Sequence, residues 1–309
     1  MLELSLRRLG HSLFVLAVLL ASVFFLIRFA PGGPFDTDRV LPSEVRRNIE
    51  VRYGLDAPIA IQFGRWVRAT ASGDLGQSFQ HPDRAVAEIL STAFPRSLLL
   101  GALALTAAFV LGVPLGIHSA ATRRPFVERA LRTLLLSSVS LPGFVVASLL
   151  IWVFSIRLHW LPPALWEGPA YWILPTATLM LRPMALITRL MRGSVMDVLE
   201  EDYIRTARAK GLGANAVLWR HALRNAWIPC IGLLGPVAAQ LVTGSFLVET
   251  IFQIPGMGRY FVSAVLNRDY PLVMGTTLLF GLTLVFFNAL GEFLLAWADP
   301  RLREPARNP

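Results

Sequence analysis

The chain has one cysteine, Cys230, in 309 residues. An intrachain disulfide is therefore excluded, and a lone thiol among apolar neighbours reads as a small buried hydrophobe in a membrane span rather than as a redox centre. Charge is also scarce, at 16% of residues. Lysine almost vanishes: of 29 basic residues only Lys210 is a lysine, and the other 28 are arginines. No G-x-x-x-x-G-K-[ST] phosphate loop occurs, so the chain has no usual means of binding ATP and any nucleotide energy must come from elsewhere. His11, His81, His118, His159 and His221 are scattered, with no second His or Cys at ligand spacing, so no built-in metal site is expected. A G-x-S-x-G elbow is missing, and no nucleophile has a base at suggestive spacing. These absences argue for a non-catalytic chain that binds no cofactor of its own.

What is abundant is apolar surface. Hydrophobic residues make up 54% of the chain and the mean hydropathy is +0.55, too much for one soluble core of ordinary composition. The formal net charge of +9 would suit nucleic acid, yet the basic residues sit in short segments between apolar runs. That is the pattern of membrane topology, so lipid is the expected partner and nucleic acid is not. The pattern predicts an all-α integral membrane protein with six transmembrane helices and both termini cytoplasmic.

Residues 1–30 comprise a cytoplasmic tail and the first helix, whose apolar run over 13–27 is broken only by Ser22; about 20 such residues cross a bilayer. The run is longer than a secretory signal core and lacks a small-x-small cleavage site, so it is expected to remain uncleaved, with Arg28 snorkelling to the outer interface. Residues 31–95 mix Pro, Gly and charge, which predicts an extracytoplasmic cap of short helices and loops. A five-helix core follows over 96–298, with spans expected at 97–117, 133–156, 171–191, 226–252 and 272–298, and residues 299–309 form a cytoplasmic tail. Arg123, Arg124, Arg129 and Arg132 mark the inner side, and Trp152, Trp160, Trp166 and Trp172 the outer boundary.

Several polar residues fall inside these spans. Arg182, near the middle of the fourth, would cost roughly 2.5 to 3.5 kcal/mol facing lipid; it either lines an aqueous pathway or pairs structurally near the inner end. The fifth span contains Gln240 and Glu249. Asn288 and Glu292, one turn apart on the sixth, form either a structural polar pair or part of a gate. Between those spans Pro255-Gly256 with Gly258 forces a sharp turn, and the apolar flanks let residues 253–271 dip back as a re-entrant segment at the outer mouth. All eight positions are candidates for a pathway or gate.

The longest charged interruption is the loop at 193–225, continuing to Pro229. Residues 202–210 contain no Gly or Pro and predict a helix that Gly211 and Gly213 end, followed by a second short helix over about 214–225. Ala207, Ala209 and Gly211 would keep this elbow thin, while Arg205, Arg208 and Lys210 offer charged contacts.

The loop resembles that of the membrane subunits of binding-protein-dependent ABC importers, whose pattern is E-A-A, three residues, Gly, and I-x-L-P further on. The corresponding positions here are Arg205-Thr206-Ala207, Gly211 and Ile228-Pro229. Arg205 and Thr206 replace the family's Glu and first Ala, and RTARAKGL is the wording of the oligopeptide and dipeptide branch. Glu249, Phe252, Pro255, Gly256 and Gly258 match that branch's E-x-x-F-x-x-P-G-x-G. YGLDAPIAIQF (53–63), GDLGQSF (73–79), RFAPGGPF (28–35), LPSEVRRNIE (41–50) and ADPRLR (298–303) are also similar to phrases of the branch.

The resemblance implies a type I ABC importer permease fold in a bacterial cytoplasmic membrane. It implies half of a translocation pathway for peptides, completed by a second homologous permease, with two ATPase subunits carrying ATP and Mg and an extracytoplasmic solute-binding protein. The ATPase-coupling residues would be Tyr203, Arg205, Thr206, Ala207, Lys210, Gly211, Leu212, Arg220, His221 and Arg224. Cargo within the family runs from oligopeptides to dipeptides, glutathione and chelated nickel. The competing class is a secondary transporter or channel working alone, with Arg182, Glu249, Asn288 and Glu292 as an ion route. The lack of an inverted repeat argues against it.

Overall fold

The computed structural model describes residues 2–34, 53–121 and 140–299, with single positions 44, 48, 51 and 133, and side chains from residue 10 onward. The arginine-bearing segment at 122–132, the start of the third span at 134–139, LPSEVRRNIE apart from positions 44 and 48, and the tail from residue 300 lie outside the described residues. The regular secondary structure of the described residues is helical, apart from one isolated bridge between Gln77 and Ala85.

In chain order the helices are α1 (Leu2–Phe29), α2 (Ile59–Ala71), α3 (Val86–Ala121), α4 (Gly143–Leu150, continued by a π-helical stretch Ile151–Arg157), α5 (Pro169–Leu199), α6 (Asp202–Ala209), α7 (Ile228–Thr243), α8 (Phe246–Ile251), α9 (Met257–Leu266) and α10 (Tyr270–Ala298). Among the described residues five stretches are long and apolar enough to cross a membrane: Gly10–Phe29, Val86–Ala121, Pro169–Leu199, Ile228–Ile251 and Tyr270–Ala298. Gly143–Arg157 is apolar but shorter. α3 begins at Val86, well before the span expected from residue 97, because VAEILSTAF has no Gly or Pro and its polar residues lower the hydropathy without breaking the helix. The expected fifth span is interrupted: Gly244 and Ser245 separate α7 from α8.

The chain divides into two compact units, one comprising residues 98–254 with 286–309 and the other residues 2–97 with 255–285. In the first, helices meet through glycine. A Cβ on Gly112 would lie 3.0 Å from the Met184 carbonyl oxygen, and one on Gly116 would lie 2.7 Å from that of Thr188. α3 and α5 thus touch backbone to backbone over a G-x-x-x-G step, and Thr188 Oγ1 donates to the Gly112 carbonyl across it at 3.1 Å. α7 and α10 cross the same way, since a Cβ on Gly291 would meet Gly235 Cα at 2.7 Å. Lipid supplies no hydrophobic drive between helices, so such close approach is what holds them together.

The second unit is organised around two polar anchors. Asp269 is fully buried just before α10 and accepts from Ser78 Oγ, from the backbone N–H of Phe79 at 3.1 Å and Gln80 at 3.2 Å, and from Leu272 N–H at 3.2 Å. It caps α10 and ties the GDLGQSF loop to it. Arg28, expected to snorkel to the outer interface, is half-buried at the end of α1. Its guanidinium lies 3.4 Å from the ring centroid of the buried Phe24 and donates to Gln62 Oε1 at 2.9 Å, because α2 of the same unit offers a partner before solvent does.

Candidate functional site

Two features of the first unit contain most of the residues singled out above: a polar elbow and a cavity. The elbow begins where Glu200 and Glu201 turn the chain out of α5. α6 stops at Lys210, and Gly211 takes φ +81, the left-handed conformation that favours glycine at a helix C-terminus. Its N–H donates back to the Arg208 carbonyl at 2.9 Å. The return arm comprises Ala214–Ala216, a π-helical Val217–Ala222 and Leu223–Ala226.

The elbow's inner side is apolar. Ile204 and Ala207 are buried with Val217, Leu218, Ala222 and Leu223, and this cluster continues onto Met191 and Val195 of α5 and onto Val113 and Ile117 of α3. Asn225 Nδ2 donates to Tyr203 Oη at 3.0 Å, tying the two arms together.

Of the expected coupling residues, Tyr203, Arg205, Thr206, Lys210, Gly211, Leu212, Arg220 and Arg224 are exposed on the elbow and His221 is half-buried. Ala207 faces inward at 6% exposure, so its small size serves packing between the elbow's own arms rather than an outer face. Arg205 pairs with Asp202 at 3.2 Å in full solvent, an ion pair worth little by itself. Trp219, 66% exposed, was not among the expected residues. Its signal is legible in the sequence, since a tryptophan next to Arg220 in a polar loop has no core to enter.

The cavity has a volume of about 1030 Å³ and is walled by α4, α5, α7 and the end of α3, with a contribution from α8. Arg182 and Gln240 line it, joined by Arg189, Arg192, Thr178 and Ser119. Gly244, at the break between α7 and α8, also faces the cavity, and its N–H still donates to the Gln240 carbonyl at 2.7 Å. Irregular backbone at membrane depth is tolerated where it lines such a space. Arg189 and Arg192 were not expected at the cavity, because nothing local distinguishes a cavity-facing arginine from one at the inner end of a span.

The other six pathway candidates are placed elsewhere. Glu249 is completely buried and accepts from Ser245 Oγ at 2.5 Å, so it closes the start of α8. Asn288 flanks the Gly235–Gly291 crossing, and Glu292 is exposed one turn further along α10. Pro255, Gly256 and Gly258 belong to the other unit, at the entry to α9. There the Met257 N–H donates to Ser97 Oγ at 2.8 Å and Arg96 Nη1 donates to the Pro255 carbonyl at 3.3 Å. Among the described residues no group of three or more His, Cys, Asp or Glu is placed to hold a metal ion.

Residues 112–304, which contain the cavity and the elbow, match the family described as binding-protein-dependent transport system inner membrane component. Over 305 residues the chain is 41% identical to the oligopeptide transport system permease protein OppB of Haemophilus influenzae, covering 98% of this chain and all of the relative. The protein of the same description from Escherichia coli is 42% identical with the same coverage. The dipeptide transport system permease protein DppB of Bacillus subtilis is 40% identical over 286 residues, 93% of each chain. Among solved structures, the MetNI methionine ABC transporter in inward-facing conformations aligns with a TM-score of 0.57 at 16% identity, over 68% of this chain and 96% of that one. That likeness supports the fold. An all-α set of membrane-length helices, an exposed elbow, a cavity bearing three arginines and 41% identity to such a permease over 98% of the chain lead to one assignment: the chain belongs to the family of inner membrane components of binding-protein-dependent transport systems.

Proposed function

We propose that the chain is the membrane-spanning permease subunit of an ATP-driven importer and forms half of a translocation pathway for peptides, oligopeptides foremost. A second homologous permease completes the pathway, an extracytoplasmic solute-binding protein delivers cargo, and two ATP-binding subunits with ATP and Mg seat against the elbow. The relatives named above, transport permeases for oligopeptides and dipeptides, support this reading.

The observation that carries it is the continuity of α5. One helix of 31 residues bears the cavity's three arginines and ends at Leu199, two residues before the elbow helix begins at Asp202. The elbow packs onto the same helix through Met191 and Val195. A sideways push on Tyr203, Arg205, Lys210, Leu212 or Trp219 therefore acts on the helix that walls the cavity. Packed interfaces shift discretely, so the push becomes a rocking of helices rather than local compliance.

Gly211→Leu tests the coupling role. A Cβ at Gly211 meets nothing within 4 Å, so the substitution adds backbone strain and an outward side chain without an internal clash. Membrane insertion should be retained, while docking of the ATPase subunits and peptide uptake fall to about a tenth or less, corresponding to a loss of roughly 1.4 kcal/mol. Uptake at the wild-type rate would remove the coupling role. Uptake by this chain alone, driven by an ion gradient, would favour a secondary transporter.

A further inference from the structure

The cavity is lined by charge of one sign. Arg182, Arg189 and Arg192 face it and, among the described residues, no aspartate or glutamate does; the remaining wall is mainly apolar, with Ser119, Ser140, Thr178, Thr188 and Gln240 as its polar points. Arg182 and Arg189 lie seven residues apart on α5, two turns along one side of the helix. With Arg192, the guanidinium-bearing positions span about 15 Å along the helix axis.

A cleft with low-dielectric walls and a single sign of charge concentrates counter-ions. The guanidinium fork matches a carboxylate in a bidentate fashion, which an ammonium cannot do. Every linear peptide with a free C-terminus carries one carboxylate there, whatever its side chains. A site for that group tolerates sequence variation, whereas a site for any side chain does not. Both Arg182 and Arg189 are exposed to the cavity, so water competes with the ligand and the hold is weak, as passage requires.

We propose that Arg182 and Arg189 form a ladder for the C-terminal carboxylate of a peptide in transit, taken up near mid-helix and passed along α5 toward Arg192. This deepens the importer reading above and rests on it.

The experiment uses the complete importer containing this chain, reconstituted in liposomes with its binding protein saturated by either tri-alanine or tri-alanine amide. The wild-type complex should import the free acid roughly 10-fold faster than the amide, the worth of one charge-assisted contact. In Arg182→Gln/Arg189→Gln the ratio should fall to within about twofold of unity, while Arg182→Lys/Arg189→Lys, which keeps the charges but loses the bidentate fork, should give an intermediate ratio. A ratio unchanged in the glutamine variant overturns the ladder. So does a glutamine variant whose subunits no longer co-purify while the lysine variant assembles without discriminating the two peptides, because the arginines would then be assembly contacts. A wild-type complex that assembles and imports neither peptide overturns the importer reading, and the ladder with it.

Discussion

The elbow buries its apolar residues and presents polar ones around a single left-handed glycine, whereas the cavity sets three arginines into a wall of apolar helices. Each arrangement inverts the other. The elbow is a short protein surface in miniature, with Ile204, Ala207, Val217 and Leu218 as its core, and its outside is free to be read by a partner. The cavity's arginines would be costly facing lipid, by roughly 2.5 to 3.5 kcal/mol each at mid-span. The elbow thus tolerates change on its outside and the cavity tolerates little in its wall, and substitutions can break or sharpen that contrast.

The largest effect should come from the wall. In Gly116→Leu the new Cβ would lie 2.7 Å from the Thr188 carbonyl oxygen and 2.8 Å from Met191 Cβ, so α3 and α5 must separate. Overpacking of this kind costs about 3 kcal/mol. The loss should appear as a lower unfolding temperature of the purified complex, with uptake lost in parallel. A variant as stable as the wild type would mean that the backbone contact of α3 with α5 does not set the cavity's shape.

Next is the elbow's own core. Ala207→Leu adds methyl groups to a site at 6% exposure between the two arms, at a cost of about 1 to 2 kcal/mol. The effect should be confined to the elbow: hydrogen exchange should accelerate over residues 202–226 and stay unchanged in α10. The comparison with Gly211→Leu is the informative one. At Ala207 stability and docking should fall together, while at Gly211 docking should fall much further than stability. If the two variants behave alike, inward and outward faces of the elbow are not functionally distinct.

The two regions also differ in how far the sequence discloses them. The helix over 202–209, its glycine stop and the return arm are local patterns, readable from RTARAKGLGAN because capping and propensity act within a few residues. The inward turn of Ala207 was not readable, since facing depends on which neighbour the helix meets. Arg182 was recognisable as a charge within an apolar run, but its company of Arg189, Arg192, Thr178 and Ser119 comes from the packing of α3 and α5. The step Gly112-x-x-x-Gly116 is a helix-contact signal, but which helix it meets is set by packing. The Asp269 clamp joins residues 190 positions apart in the chain, beyond any local rule; only the Asp-x-Pro at the start of α10 hints that a cap belongs there. The early start of α3 escaped because hydropathy reports the membrane and not the helix.

The smallest effect on stability should come from the exposed pair Asp202 and Arg205, and it separates structure from docking most cleanly. Both side chains are largely in solvent, at 94% and 72% exposure, and they meet at 3.2 Å across one helical turn. Such pairs contribute about 0.3 to 0.5 kcal/mol. Removing either partner removes the same pair, so Asp202→Ala and Arg205→Ala should shift the unfolding temperature equally and only slightly. Their effects on the ATPase subunits should differ if Arg205 is itself a contact. Arg205→Ala should weaken docking several-fold, and that loss should shrink as salt rises, because an exposed charge contact is screened within about 10 Å at 0.1 M. Asp202→Ala frees Arg205 from its intramolecular partner and should leave docking equal or slightly stronger. Equal losses of docking in both variants would assign the pair a role in holding α6 together and would leave the partner to be gripped through Leu212, Trp219 and Lys210 instead.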